Sequence, residues 1–199
     1  FKAMTSKAFQ REYLSLPGEE GSATTLIKQP AWTKTRSSKP FPASLPPVVA
    51  LAIAIHPDGK WASLAAAWNG RKGTKHVALL HHQEGVDGFG KKVLLKARKL
   101  NRQIVFDPGR PVENVEIAPL VAGRPPLRTR ALYRMDIPRS AVLFMKTLNS
   151  GQLVTYDGQD PLDAAAEIAV RRAFGSVAGA WASVSYTHLT LPTKRIGPT

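Results

Sequence analysis

The stretch Gln103-Ile104-Val105-Phe106-Asp107-Pro108-Gly109 decides how the rest of the chain is interpreted. Its three consecutive apolar residues, two of them β-branched, predict a short buried strand. The Pro-Gly pair ends that strand and turns the chain. A helix is predicted just before it, so Asp107 stands at the carboxyl end of a strand in an α/β order, where open sheets bind ligands. Asp107 is therefore the leading functional candidate, although a residue that caps the following turn would show the same pattern.

The composition is that of one strongly basic domain. A length of 199 residues suits about one domain with extensions, and 43% hydrophobic residues can supply its core. The chain has no cysteine, which excludes disulfides and thiolate metal sites. Its 28 Lys and Arg against 14 Asp and Glu leave a net charge of +14. This excess favours a polyanionic partner, nucleic acid first, while a solubilising surface or a basic piece of a larger protein would give the same charge.

The first half of the chain is predicted to be an arm followed by a sheet. Prolines interrupt every apolar run in 1–47, so this region is expected to be an extended arm or linker. The apolar run 48–55 predicts a central strand buried on both faces. Strands at 60–68 and 75–82 are expected to follow through tight turns and to complete an antiparallel three-strand meander.

The second half alternates helical and extended patterns, which predicts a mixed α/β domain with helices covering a sheet. Residues 110–126 show no clear pattern. The predicted elements are a helix at 91–102, the Asp107 strand, a short strand at 132–137, a helix at 139–148, an extended segment at 152–156 and a helix that begins at Asp160.

The predicted helix at 91–102 is amphipathic, and its polar side carries cations without any acid. A solvated helix face would explain this pattern. A surface that contacts the DNA backbone would explain it equally well. The candidate DNA-binding residues are Lys91, Lys92, Lys96, Arg98, Lys99 and Arg102.

Histidines near one strand suggest a weaker candidate site. His76 and His82 are six residues apart and would share a face of the third strand, which could support a metal pair. Histidines at a strand edge are more often ordinary surface residues.

Four stretches spread over 9–183 occur in a recognisable order. They are Phe9-Gln10-Arg11-Glu12-Tyr13-Leu14, Ala50 to Gly59, Val105-Phe106-Asp107-Pro108, and Gly151 to Ala165 followed by Arg172, Gly175 and Trp181. In this order and spacing the chain resembles the nuclease domain of phage terminase large subunits. The first stretch is similar to the family's Phe-x-Arg-Glu-Tyr-Leu segment, and the third to its Val-Val-Asp-Pro strand end.

The resemblance implies an α/β, ribonuclease-H-like mixed sheet, made of an antiparallel three-strand meander plus parallel strands, with flanking helices. It implies metal-dependent endonucleolytic cleavage of concatemeric DNA during genome packaging, with Mg²⁺ or Mn²⁺ as cofactor. Such ions clamp the attacking and leaving oxygens of a phosphodiester and require oxygen ligands. Double-stranded DNA, the portal and the small terminase subunit would be the partners, and the cytoplasm of the bacterial host the location.

The resemblance also assigns the site residues. The family has one Asp within the first strand, one at the end of the later strand and one near the C-terminus. Asp107 matches the second position and is the expected metal ligand, facing the first position from a neighbouring strand. The first position is Ala54, whose methyl group cannot bind a metal. Asp58 and Asp163 are the other candidate catalytic acids, and the incomplete set predicts a chain that is inactive as written.

The expected organisation is an arm at 1–47, a nuclease domain at 48–183 that is cut short, and a non-native tail at 184–199. The tail resembles a sequencing-library adaptor translated in one frame. Two other classes of function stay open. One is a non-catalytic nucleic-acid-binding module on a ribonuclease-H-like scaffold, which the loss of acid at Ala54 favours. The other is a basic scaffolding domain that binds protein.

Overall fold

The computed structural model of the chain describes residues 25–47, 49–133 and 135–169. The predictions for 9–14, for positions beyond 169 and for the tail fall outside these residues. No helix in the described part of the chain is both long enough and apolar enough to cross a bilayer.

Six strands of the described residues form one mixed sheet. They are β1 (Ala50–Ile55), β2 (Trp61–Asn69), β3 (Lys75–Glu84), β4 (Ile104–Phe106), β5 (Thr129–Ala131) and β6 (Leu153–Val154). Their order across the sheet is β5-β4-β1-β2-β3-β6. The first three strands form the predicted antiparallel meander. β4 and β5 continue in parallel beyond β1, and β6 lies parallel to β3, so the predicted mixed α/β class is confirmed.

Five α-helices of the described residues accompany this sheet. They are α1 (Gln29–Thr33), α2 (Phe89–Leu100), α3 (Pro111–Ala122), α4 (Asp136–Asn149) and α5 (Asp160–Glu167). α3 occupies the region for which the sequence predicted no element. Pro111 explains its start, since proline is preorganised for the first helical position and needs no hydrogen bond there.

The prediction of a strand at 132–137 is wrong. The strand that pairs with the outer side of β4 is β5, which ends at Ala131, and α4 begins at Asp136. The Asp136 carboxylate accepts a hydrogen bond of 3.1 Å from the backbone N–H of Tyr133, which favours a helical start. Pro138 falls in the first turn of α4, where its missing N–H costs nothing.

The central strand β1 is buried on one face only, so the prediction of burial on both faces is wrong. Leu51, Ile53 and Ile55 pack in one cluster with Phe89 of α2 and Ile117 of α3. We call this side of the sheet the core face. The residues that alternate with them are exposed or half buried, because alanine methyl groups offer too little apolar area to hold a helix against them.

The opposite side of the sheet, which we call the open face, carries small residues on β1 and β2. The register of β1 against β2 pairs them across the two strands. α4 and α5 contribute side chains to cavities of about 370 and 200 Å³, respectively, that these small residues also line. The small residues of the open face are Ala50, Ala52, Ala54, Ser63, Ala65 and Ala67.

Part of the predicted arm packs on the domain. Trp32 of α1 is buried in a second cluster with Leu148 and Leu153. Its Nε1 donates a hydrogen bond of 2.8 Å to the Asp163 carboxylate of α5, which also forms an ion pair with Arg36. Residues 25–47 are therefore tied to the C-terminal end of the described chain.

Candidate functional site

The carboxyl ends of β1 and β4 bring together two positions that the sequence analysis singled out. These parallel strands pair Leu51 with Ile104 and Ala52 with Val105. Asp107 directly follows β4, and continuing this register by two residues sets it opposite Ala54. Both residues line one cavity of about 440 Å³. Ala54 in β1 and Asp107 at the end of the neighbouring β4 therefore face the same space, which is the juxtaposition expected from the sequence.

Asp107 has a structural role in its own loop. Its Oδ1 accepts a hydrogen bond of 2.9 Å from the backbone N–H of Gly109. This is the turn-capping contact that the sequence analysis kept as an alternative. Oδ2 lies 3.5 Å from Arg110 Nε. The carboxylate thus caps the turn and faces the cavity at once, and its catalytic role stays a prediction.

Glu113 is the carboxylate that sequence reasoning missed. Its Oε1 accepts a hydrogen bond of 3.2 Å from the backbone N–H of Ile55, and its Oε2 accepts one of 2.9 Å from that of Asp107. The side chain is almost fully buried and joins the ends of β1 and β4. Burial raises the pKa of Glu113, against the opposing effects of these two N–H groups and of Arg110.

A local signal for Glu113 does exist in the sequence. Pro111 marks the first position of a helix, which makes Glu113 its third residue. Acids are enriched in the first turn because they interact favourably with the helix dipole. That pattern predicts an acid near the loop after Asp107, but only the fold shows that it reaches back to β1.

Arg110 lies between the two carboxylates. Its Nη1 is 3.8 Å from Glu113 Oε1, and its Nε is 3.5 Å from Asp107 Oδ2. Nη1 also donates a long hydrogen bond of 3.5 Å to the backbone carbonyl of Ile55. The two acids and the guanidinium together carry a net charge of −1 when all three are ionised.

The other two candidate acids lie elsewhere. Asp58 is in the turn after β1, where its largely exposed carboxylate is 3.7 Å from Lys60 Nζ. Asp163 is bound to Trp32 and Arg36. The cavity that contains Asp107 is lined by neither acid. The structure does not bring the three predicted catalytic acids together.

The arrangement was tested for its fit to Mg²⁺ or Mn²⁺. Among the described residues, no group of three or more His, Cys, Asp and Glu side chains is placed to hold a metal ion. Asp107 and Glu113 are near each other, but their oxygens already contact backbone N–H groups or Arg110. These side chains do not by themselves fit a divalent ion, which would require several free oxygen ligands.

The basic surface of α2 lies on the other side of the sheet. Phe89, Val93 and Ala97 anchor α2 in the core-face cluster. The five predicted DNA-binding residues that lie on α2 are exposed. Arg102 follows the end of α2 and is half buried, with its Nε atom inside the protein. A cavity of about 320 Å³ on this side is lined by His81, Leu95 and the lysines at 92, 96 and 99. The sheet thus separates the basic surface from the Asp107 cavity.

A β-bulge separates the two histidines proposed as a pair. A register shift after Leu64 places one extra residue in β3, which moves the following side chains to the opposite face. His82 lies beside Ser63 on the open face, with 2.8 Å between Nδ1 and Oγ. His76 Nδ1 instead contacts the Tyr156 hydroxyl at 2.8 Å. The expectation that His76 and His82 share a face is wrong.

The fold was compared with known proteins. The structure is similar to the large terminase of bacteriophage HK97, with a TM-score of 0.54 and 12% identity over 73% of this chain and 36% of that one. The large terminase of a thermophilic bacteriophage gives a TM-score of 0.44 and 10% identity over 70% and 36%. No protein-family model matches the sequence, and neither does any curated protein.

The chain spans about a third of the length of the terminases it resembles. At this identity the likeness to the HK97 protein concerns the fold alone. Within that limit, the predicted resemblance to the fold of phage large terminases is confirmed, and so is the ribonuclease-H-like class of the mixed sheet.

Proposed function

We propose that this chain is the nuclease-domain portion of a phage large terminase, a protein that binds double-stranded DNA and cuts concatemers during genome packaging. One observation carries the proposal. Ala54 and Asp107 face one cavity from adjacent parallel strands, in a fold shared with the HK97 large terminase. The family resemblance expects a carboxylate at both of these positions.

The chain as written is proposed to be inactive in cleavage. Ala54 presents a methyl group where a ligand is expected, and of the three predicted catalytic acids only Asp107 lines the cavity. Mg²⁺ or Mn²⁺ is proposed as the cofactor only of a chain that carries the full set of catalytic carboxylates. The portal and the small terminase subunit as partners, and the host cytoplasm as location, are proposals that rest on the family resemblance.

A gain-of-function experiment tests this proposal. Supercoiled plasmid is incubated with Mg²⁺ or Mn²⁺ and each variant, and nicked and linear products are measured. We expect no cleavage by the 199-residue chain and little by Ala54→Asp alone. Ala54→Asp in a chain continued beyond residue 183 by its own gene should cleave much faster, since the carboxylates of such a site act as a unit.

Ala52→Asp is the matched control. Ala52 precedes Ala54 by two residues on the same face of β1 and lines the same cavity, but it pairs with Val105. The same carboxylate there should restore nothing. The proposed position of the site would be contradicted if both variants recovered cleavage equally. It would also be contradicted if the unmodified chain cleaved DNA robustly and still did so after Asp107→Asn.

The second candidate is a non-catalytic DNA-binding module. The exposed cations of α2 favour it, because they lie across the sheet from the cavity and could bind DNA without it. Binding through phosphates should weaken steeply with salt, with a log–log slope of about −0.9 per contact. Replacing Lys92, Lys96 and Lys99 with Gln should therefore reduce the slope by about 2 to 3.

A second triple variant controls for total charge. Lys34, Lys60 and Arg71 are exposed cations on other elements, and changing them to Gln removes the same charge. Fluorescence anisotropy with a short duplex between about 50 and 200 mM salt measures both slopes. An equal loss in the two variants would argue against α2 as the interface. No binding to any duplex would favour the basic scaffolding domain.

A further inference from the structure

We propose that Arg110 is the resident cation of the Asp107 site and that its guanidinium keeps divalent ions from binding there in this chain. The inference rests on the proposed function in that it concerns cation occupancy of the same site. It differs in that it assigns a role to a residue of this chain that the family resemblance does not mention.

The contacts of Arg110 support this role. Its guanidinium approaches Asp107 Oδ2 and Glu113 Oε1 at 3.5 and 3.8 Å, and it contacts the Ile55 carbonyl oxygen at 3.5 Å. It therefore meets two carboxylates and one carbonyl at the junction of β1, β4 and α3. Oxygen groups of these kinds are what Mg²⁺ and Mn²⁺ take from proteins.

Each of the four carboxylate oxygens already has a partner within the protein. Asp107 Oδ1 is bound to the backbone N–H of Gly109, and its Oδ2 faces Arg110. Glu113 Oε1 and Oε2 accept the N–H groups of Ile55 and Asp107. A divalent ion would have to displace at least the guanidinium before it reached Asp107.

The charge balance also favours Arg110 over a divalent ion. With Ala54 in the first-strand position, only two carboxylates face the guanidinium, and the net charge of −1 attracts a second cation weakly. The Arg110 guanidinium already supplies one positive charge to these two acids. Its attachment to the chain keeps the guanidinium at a high effective concentration, with which a free ion must compete.

The loop around Arg110 holds the side chain in place. The backbone N–H of Arg110 donates a hydrogen bond of 3.1 Å to the Asp107 carbonyl oxygen, and α3 begins at the next residue. Arg110 and Asp107 therefore belong to the same short turn, which positions both side chains. The Asp-Pro-Gly-Arg order in the sequence supplies both the acid and its counter-cation.

Removing the guanidinium should create a divalent site. Binding of Mn²⁺ is measured by the loss of the free-ion electron paramagnetic resonance signal, without DNA. We expect no saturable binding by the 199-residue chain at low millimolar Mn²⁺. Arg110→Gln should bind Mn²⁺ at least tenfold more tightly, since it frees Asp107 Oδ2 and removes the positive charge beside the two acids. Arg110→Gln combined with Asp107→Asn should lose that gain.

Two further variants complete the experiment. Arg71→Gln removes one positive charge from an exposed residue outside the cavity, so it should behave like the parent chain. Arg110→Lys keeps the charge but cannot span both acids, so its Mn²⁺ affinity should be intermediate; it also serves if Arg110→Gln fails to fold. Saturable Mn²⁺ binding by the parent chain that Asp107→Asn abolishes would overturn the inference. A folded Arg110→Gln that binds Mn²⁺ no more tightly than the parent chain would also overturn it. If Arg110→Gln does not fold, the same result for a folded Arg110→Lys would do so.

Binding of duplex DNA in chelator-containing buffer separates this inference from the proposed function. If the parent chain binds DNA but Arg110 variants gain no Mn²⁺ affinity, only the inference fails. If the Mn²⁺ result holds and no duplex is bound, the proposed function fails and the role of Arg110 stands.

Discussion

The two faces of the sheet differ more in side-chain size than in polarity. On the core face, Leu51, Leu64 and Ile104 are fully buried beneath α2 and α3. On the open face, the neighbouring positions of the same strands are mostly alanine and remain partly exposed beneath cavities of about 200 to 440 Å³. Both faces are largely apolar, so apolarity alone does not decide which one is covered.

The difference shows how area separates stability from a potential site. A buried leucine contributes about 1.5 to 3 kcal/mol of transfer free energy, whereas an alanine methyl contributes far less. The core face therefore holds its helices, and the open face leaves space beside Asp107. The predictions below test this division, beginning with the largest expected effect.

The first prediction compares one substitution on the two sides. Leu64→Ala should lower the free energy of unfolding by about 2 to 5 kcal/mol, because it empties a fully buried position. Leu143→Ala on α4 removes the same atoms from a residue that is 57% exposed and should cost less than about 1 kcal/mol. Urea denaturation followed by circular dichroism measures both. Similar costs would mean that the open face is packed as tightly as the core.

The second prediction concerns the carboxylate at the strand ends. Glu113→Ala leaves the backbone N–H groups of Ile55 and Asp107 without their acceptor, which should cost about 2 to 3 kcal/mol. Glu116→Ala, one turn further along α3, should cost less than about 1 kcal/mol. Thermal and urea unfolding of the two variants provide the comparison. Equal stability would show that Glu113 does not hold β1 to β4.

The third prediction uses two adjacent alanines of β2. Ala66 is buried on the core face, and Ala67 is exposed on the open face. Ala66→Leu should destabilise the protein by about 1 to 3 kcal/mol through overpacking. Ala67→Leu should change the free energy of unfolding by less than about 0.5 kcal/mol, since it projects into space. A reversed order would show that the two faces have been assigned the wrong way round.

The smallest expected effect is a pH dependence of the free energy of unfolding that arises from His82 on the open face. Burial, and secondarily the charge of His81, lower the pKa of His82. The unfolded chain therefore binds a proton at a higher pH than the native state. Stability should fall as the pH drops below the ordinary histidine pKa of about 6.5 and through the lowered native value.

His82→Asn should reduce this acid-side loss, because asparagine can still bond to Ser63 but does not titrate in this range. His81→Asn, whose side chain stacks on Phe89 at the core face, should keep most of the loss. Unfolding free energies measured between about pH 5 and 8 decide the matter. An unchanged slope in His82→Asn would assign the loss to other groups.

The residues of the two proposed functions lie on the same two sides. The proposed DNA-contacting cations of α2 accompany the core face, while Asp107 and Ala54 face the open one. A duplex that binds to α2 does not thereby reach Asp107. The salt-slope and cleavage experiments therefore probe separate surfaces, and each can fail without the other.

The sequence by itself determined the features that depend on near neighbours. The apolar run at 48–55 and the turn residues after each strand were sufficient for the three-strand meander. The apolar run before Asp107 and the Pro-Gly after it fixed β4 and its end. These patterns also gave the α/β order and the resemblance from which the pairing of β1 with β4 was expected.

Only the tertiary structure decided which distant groups meet. Glu113 accepts its hydrogen bond from Ile55 across 58 residues of chain, and no local pattern encodes that contact. The role of Arg110 depends on the same junction. The bulge that separates His76 from His82 and the packing of α1 on α5 likewise follow from register and from long-range contacts. Local patterns specify the direction of each side chain along its own strand or helix, whereas its partner is set by the pairing of strands far apart in the chain.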